Sequence, residues 1–391
     1  MPLTRTQTTF RPPVMEARRW LDGVSFPADR PLINVSQAAP VDPPPLAMRQ
    51  AMAEVALTRD DAHLYGPVLG LPALRAALGE RTGQIYGGTV ADTQVAITSG
   101  CNQAFAATIA TLCAEGDEVI LPTPWYFNHK MWLDMQGVRA VALPTDAALL
   151  PDPEQAEALI TQHTRAITLV TPNNPAGVEY PTELITAFMA LARKHGIALI
   201  VDETYRDFHS APGAPHDLFQ DPDWHDTLIH LYSFSKAYRL TGHRVGAIIA
   251  CQTRLAEVEK FLDTVAICPG QIGQHAALWG MENLTQWLAG ERQEILTRRA
   301  AIDTHRPLIE AQGWQLLGLG AYFAYLAHPF AQSSATLAPA MVANSGVLCL
   351  PGTMFVPQAD PSGDQQLRIA FANLDAAGIE VLFQRLGAMQ A

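Results

Sequence analysis

Leu228-Ile229-His230-Leu231-Tyr232, then Ser233-Phe234-Ser235-Lys236, with Arg244 eight residues further on in Gly242-His243-Arg244, is the stretch that decides how this chain reads. The apolar run reads as a buried strand bounded by polar residues. A lysine held at its end, between two hydroxyls and an arginine, suits covalent bonding to an aldehyde that carries a phosphate. Taken alone, a strand-end lysine is equally a side chain that lays its stem on apolar surface and sends its ammonium to water.

Four further polar fragments close other apolar runs: Ser99-Gly100-Cys101-Asn102, Asn173-Asn174-Pro175-Ala176-Gly177, Asp202-Glu203-Thr204-Tyr205 and Arg368-Ile369-Ala370. Between about residues 51 and 281 such runs, at 94–98, 118–121, 166–170, 198–201, 227–232 and 245–250, alternate with amphipathic stretches. That alternation predicts βαβ units and a mainly parallel sheet covered on both faces. Ligands of open α/β sheets bind beyond the carboxyl ends of the strands, so the polar tips should meet in one crevice, with strand order left open. Residues 104–114 and 183–194 have helical periodicity and stop at Glu115-Gly116-Asp117 and His195-Gly196. After Pro269-Gly270 the pattern is helical to about residue 311, then short strands follow near 322–326 and 366–371. The prolines of the opening stretch predict a segment running extended over the surface.

Composition narrows the partners. A chain of 391 residues with 48% apolar content exceeds one compact core and calls for two domains. A net charge of −12 without a basic run argues against nucleic acid or an anionic membrane as partner. Five cysteines form no CxxC pair and leave one over, so neither a disulfide framework nor a zinc site is expected, and no metal. The N-terminus lacks the apolar core of a secretory signal, and no apolar stretch approaches a membrane span. The expectation is a soluble, cytoplasmic protein.

Together the fragments resemble the class I/II aminotransferases, fold-type I pyridoxal-phosphate (PLP) enzymes, over nearly the whole chain. The resemblance implies an α/β fold: a large PLP-binding domain (46–280) with a mainly parallel sheet between helices, and a smaller α/β domain (281–391) joined by the N-terminal segment (1–45). It implies transfer of an amino group from an α-amino acid to a 2-oxo acid through a Lys236 internal aldimine, in a homodimer with shared sites. Enzymes with the same lysine, aspartate and arginine also act as lyases, oxidases or cyclases, and a non-catalytic PLP-binding regulator is the remote alternative.

By the same resemblance Lys236 shuttles a proton, and Asp202 pairs with the pyridine nitrogen. Read alone, a buried carboxylate at a strand end needs a cation or strong donors, or else caps a helix. Tyr205 and Asn174 are assigned to the ring oxygen, although Thr171 to Gly177 is also an ordinary turn. The phosphate falls to Ser99, Gly100 and Cys101 at a helix N-terminus, with Ser233, Ser235 and Arg244. Tyr126 is placed on the ring face with Trp125 as its rival, and Tyr65 reaches the partner's phosphate. Arg368 clamps the substrate α-carboxylate beside Asn174. Ala38 stands where glycine is common in the segment that closes over substrate. No second arginine is assigned to a side-chain carboxylate, which points away from a dedicated aspartate enzyme.

Overall fold

The main sheet of the computed structural model, which describes residues 3–389, contains seven strands. The outermost residues of both expected terminal segments, 1–2 and 390–391, lie outside the described residues. In chain order the strands are β1 (Val95–Thr98), β2 (Glu118–Thr123), β3 (Arg139–Pro144), β4 (Thr164–Val170), β5 (Ala198–Asp202), β6 (Leu228–Ser233) and β7 (Gly246–Ile249). They lie side by side as β1-β7-β6-β5-β4-β2-β3. The pairs from β3 to β6 are parallel, and β7 runs antiparallel between β6 and β1.

Alternate residues of the same strands feed two apolar cores, one on each face. Ile97, Ile120, Ile167, Leu199 and Val201 pack on one side, and Ala96, Val119, Leu121, Ile200 and Leu231 on the other. This is the period-2 pattern of a sheet buried on both faces, which appears in sequence as unbroken apolar runs. Adjacent strands β4, β5 and β6 therefore bring the Asn174 loop, Asp202 and Lys236 to one edge.

A third core belongs to the C-terminal part: Ile302, Trp314, Phe323, Ile369 and Phe383 pack with Ile33, Val35 and Ala38 from near the N-terminus. Its sheet holds β8 (Gln315–Gly320), β9 (Phe323–Ala327), β10 (Leu350–Pro351) and β11 (Gln366–Ile369) in the antiparallel order β10-β11-β9-β8. The long helix Thr285–His305 gives Leu288 to the main core and Ile295 and Ile302 to this one. Gly177 (φ +77°) and Gly320 join the two parts, since a Cβ on Gly320 would lie 2.3 Å from the Gly177 carbonyl oxygen.

Sequence periodicity overlooked β3, a partly exposed edge strand ending in proline, and β8, which two glycines interrupt. The opening stretch is not wholly extended: Arg5–Thr8 and Pro13–Arg19 are helical. Pro13 begins the second helix, where a missing N–H costs nothing and the fixed φ suits the first turn. Among the described residues, no helix is long and apolar enough to cross a membrane.

Candidate active site

β6 delivers Lys236. The Ser233 hydroxyl accepts from the Ser235 backbone N–H (3.2 Å) and caps the one-turn helix Phe234–Ala237, which turns Lys236 into a cavity of about 470 Å³. Lys236 Nζ donates to the Ala38 carbonyl (2.6 Å), and no carboxylate pairs with it among the described residues. Burial, then the charges of Arg244 and Arg368, bring its pKa down to about 7.

Asp202, the last residue of β5, is buried in the same cavity. His129 Nε2 lies 3.2 Å from its Oδ2, and the Thr204 N–H (3.0 Å) and the Cys101 thiol (3.5 Å) donate to Oδ1. Burial pushes the carboxyl pKa up, but the hydrogen bond and charge of His129, with the donors of Thr204, hold it below the ordinary carboxylate range. Cys101 thus faces the cavity with its side chain as well as its backbone, and burial, then Asp202, keeps its thiol protonated far above its usual range.

His129 escaped the sequence reading. Its ring stacks on Phe105 (3.8 Å between centroids) and meets Tyr126 edge-on (5.0 Å). Its signal was its place in the first turn of the helix Phe127–Gln136, three residues after Tyr126. Tyr126 lines the cavity and its hydroxyl accepts from Asn128 Nδ2 (2.8 Å), whereas the rival Trp125 is buried in the apolar core.

At the anion end, the helix Cys101–Leu112 begins on Gly100, whose φ is +88°. A Cβ there would lie 2.1 Å from Arg244 Nη2, so only glycine lets the guanidinium lie against the helix N-terminus. Arg244 itself adopts φ +51°, held by Nη1 bonds to Ser235 Oγ (3.3 Å) and the Thr241 carbonyl (3.0 Å). A guanidinium, a hydroxyl and the free N–H groups of a helix start make an anion cradle. Ser99 does not join the cavity wall. Its N–H is taken by Gln103 Oε1 (2.6 Å), and Asn102 and Thr241 line the wall instead.

Arg368, on β11, is buried among the rings of Phe127, Phe323 and Phe355 at 5.8, 5.2 and 5.1 Å. It donates to Asn174 Oδ1 (3.0 Å) and to the Ser36 carbonyl, and its Nε has no partner. Burial lowers its pKa to about 10. Asn174 spends its amide oxygen on Arg368, so its N–H remains as a donor toward the cavity it lines with Tyr205 and Ala38. Burial, then Tyr126, pushes the Tyr205 phenol well above its usual range. Tyr65 stands apart, 80% exposed and outside the cavity of its own chain.

Behind Asp202, Glu203 points to the opposite face of the sheet, fully buried. Its Oε2 accepts from the Tyr86 hydroxyl and His230 Nε2 (2.6 Å), with His216 Nε2 at 3.4 Å. Burial pushes its pKa up, but the two histidines hold it well below the usual range. Glu203, His216 and His230 have ligand-type atoms within 4.8 Å of one another, and the buried Arg206 guanidinium against Tyr86 supplies the cluster with positive charge. Glu203→Ala strands these donors in the core and should cost about 3–5 kcal/mol of stability. Urea unfolding measures this, and a loss under about 1 kcal/mol would show that the cluster does not anchor the strand end.

A family model described as aminotransferase class I and II matches residues 30–386. The Aromatic aminotransferase ISS1 of Arabidopsis thaliana is 32% identical over 244 residues, a stretch that covers 60% of each chain. The aspartate/prephenate aminotransferase of Thermus thermophilus is 29% identical over 321 residues, 79% of this chain and 78% of that one. Among solved structures, an aspartate aminotransferase from Thermus thermophilus with maleate shares the fold with a TM-score of 0.88 at 22% identity, over 99% of both chains.

Proposed function

The chain belongs to the class I and II aminotransferases, PLP-dependent enzymes that move an amino group between an α-amino acid and a 2-oxo acid, and from that premise we propose that it is a transaminase working through Lys236. The donor set fits pyridoxal phosphate. The glycine cradle under Arg244 suits the phosphate, Asp202, the one carboxylate lining the cavity among the described residues, suits a protonated ring nitrogen, and an amine of pKa about 7 suits an aldehyde. Bound there, the cofactor supplies an electron sink for ionisation of the substrate Cα–H bond.

The protein's own residues do the rest. Arg244, Ser235 and the helix-start amide of Cys101 would hold the phosphate, with Ser233 as the cap that fixes Ser235; the Gly100 N–H is spent on the Thr98 carbonyl (2.8 Å), so this glycine serves by making room for Arg244 and not as a donor. Asp202 would hold positive charge at the ring nitrogen, Asn174 and Tyr205 would donate to the ring oxygen, and Tyr126 would cover the ring. Arg368 would grip the α-carboxylate, and Lys236 Nζ, about half of it neutral at pH 7, would take up the Cα proton and give it back. The observation that carries this reading is an acid-free lysine and an acid-free arginine in one cavity.

Screening amino donors against pyruvate and 2-oxoglutarate tests the reaction type. Transamination gives a new amino acid and a new 2-oxo acid in equal amounts. Release of ammonia or hydrogen peroxide instead would favour the lyase or oxidase reading. A homodimer belongs to the same proposal. Leu64, Tyr65 and Ile267 are exposed, the Gly66 N–H joins their two segments by donating to Cys268 Sγ (3.4 Å), and this apolar rim suits a second copy whose phosphate Tyr65 would reach. Mixing Tyr65→Ala with Lys236→Ala should then restore activity, since a heterodimer keeps one intact site. An active monomer by sedimentation would refute the shared site. A cytoplasmic location fits five cysteines that form no disulfide.

A further inference from the structure

Four cations line the cavity among the described residues: Arg18, Lys236, Arg244 and Arg368. The transaminase reading employs three of them. Arg18 is left, on the helix Pro13–Arg19, and we propose that it binds a carboxylate on the substrate's side chain, so that the site accepts four- and five-carbon dicarboxylic amino acids and their 2-oxo acids.

Three consecutive residues of one segment carry the argument. The Ser36 carbonyl accepts from Arg368 Nη2, Gln37 Oε1 from Arg18 Nη2 (2.7 Å), and the Ala38 carbonyl from Lys236 Nζ (2.6 Å). Every acceptor is neutral, so each cation is held by a partner that a carboxylate outcompetes, charge-assisted bonds being roughly twice as strong. Two of these three cations have assigned substrate groups, the α-carboxylate at Arg368 and the Cα proton at Lys236. Arg18 is the third in the row and faces what remains of the substrate, its side chain.

Two further observations point the same way. Arg18 forms no ion pair among the described residues, whereas its neighbours Arg11 and Arg19 both pair with Glu16. Its helix is also seated by Ala17, fully buried in the apolar cluster that includes Phe127 and Phe355, the rings that flank Arg368. Arg18 and Arg368 are thereby referenced to one packed unit, which a two-point grip on a dicarboxylate requires. The sequence expectation that no second arginine serves a side-chain carboxylate is revised on this geometry. The inference rests on the transaminase reading, and its test separates the two.

In Arg18→Gln the ratio of kcat/KM for glutamate to that for leucine should fall about 10- to 100-fold, the loss expected for a hydrogen bond to a charged group. Arg18→Lys should recover part of that ratio. Binding supplies a second readout on the cofactor-loaded protein. Succinate should bind the wild type more tightly than butyrate by calorimetry, and Arg18→Gln should remove the difference. Equal losses for glutamate and leucine, or wild-type affinity no higher for succinate than for butyrate, would overturn the role of Arg18. If no donor in the screen gives a new amino acid and a new 2-oxo acid, the transaminase reading fails, while the succinate and butyrate affinities still decide whether Arg18 binds a second carboxylate.

Discussion

Lys236→Ala should abolish both borohydride-fixed cofactor attachment and turnover, the latter by about 10⁴-fold or more, because in the proposed reaction one amine would serve as nucleophile and as proton carrier. Peptide mapping after borohydride reduction checks the site, and label on any other lysine overturns the assignment. The pH dependence follows from the lowered pKa. Cofactor capture by the apoprotein needs the neutral amine, so its rate should rise with pH around a midpoint near 7. Stability carries the same mark. The unfolded chain keeps its lysine protonated to about pH 10.4, so between the two values it binds more protons and the folded state gains stability as pH rises. Below pH 7 the full penalty remains. Lys236→Ala removes it, so the variant apoprotein should be at least as stable as wild type at pH 6, with that advantage fading toward pH 10. A variant less stable than wild type throughout would mark Lys236 as a packing residue.

That penalty explains why Lys236 was legible in sequence: a lysine after a buried run, capped by Ser233, is a local pattern with a cost that packing does not repay. Asp202 and Gly100 are legible for the same reason, each breaking an apolar run at a strand or helix terminus. The rest required contacts distant in the chain. The insertion of antiparallel β7 between β6 and β1 depends on long-range pairing that no periodicity encodes. His129 owes its place to stacking on Phe105, a contact that its position three residues after Tyr126 only hints at, and Ser99 stays off the cavity wall with its N–H captured by the Gln103 side chain. Arg18 was hidden by prolines that suggested an extended segment but in fact begin a helix.

Asp202→Asn should slow turnover by about 10³-fold, roughly 4 kcal/mol of barrier, while cofactor still attaches at Lys236. Asparagine keeps the shape, and its one amide oxygen can still accept from the Thr204 N–H while its NH2 stands where Oδ2 met His129, so one bond is lost but the cavity and the anion cradle at Arg244 persist. What disappears is the negative charge that in the proposed reaction would hold a proton at the ring nitrogen, and with it the advantage of a ring that withdraws electrons from the substrate Cα. The loss should therefore appear in kcat and in the exchange of the substrate α-proton for deuterium, and much less in the affinity for amino acid, which Arg368 governs from elsewhere in the cavity. Wild-type behaviour in acid gives a companion result. Burial alone would raise the Asp202 pKa, but His129 and Thr204 overcome it and hold the carboxyl below its ordinary range, so this group should impose no acid limb on the rate above about pH 4. Removing the His129 donor, as in His129→Phe, should bring such a limb to higher pH. Near-normal α-proton exchange in Asp202→Asn would mean that the ring works without this charge, and Asp202 would then be only the end of a strand.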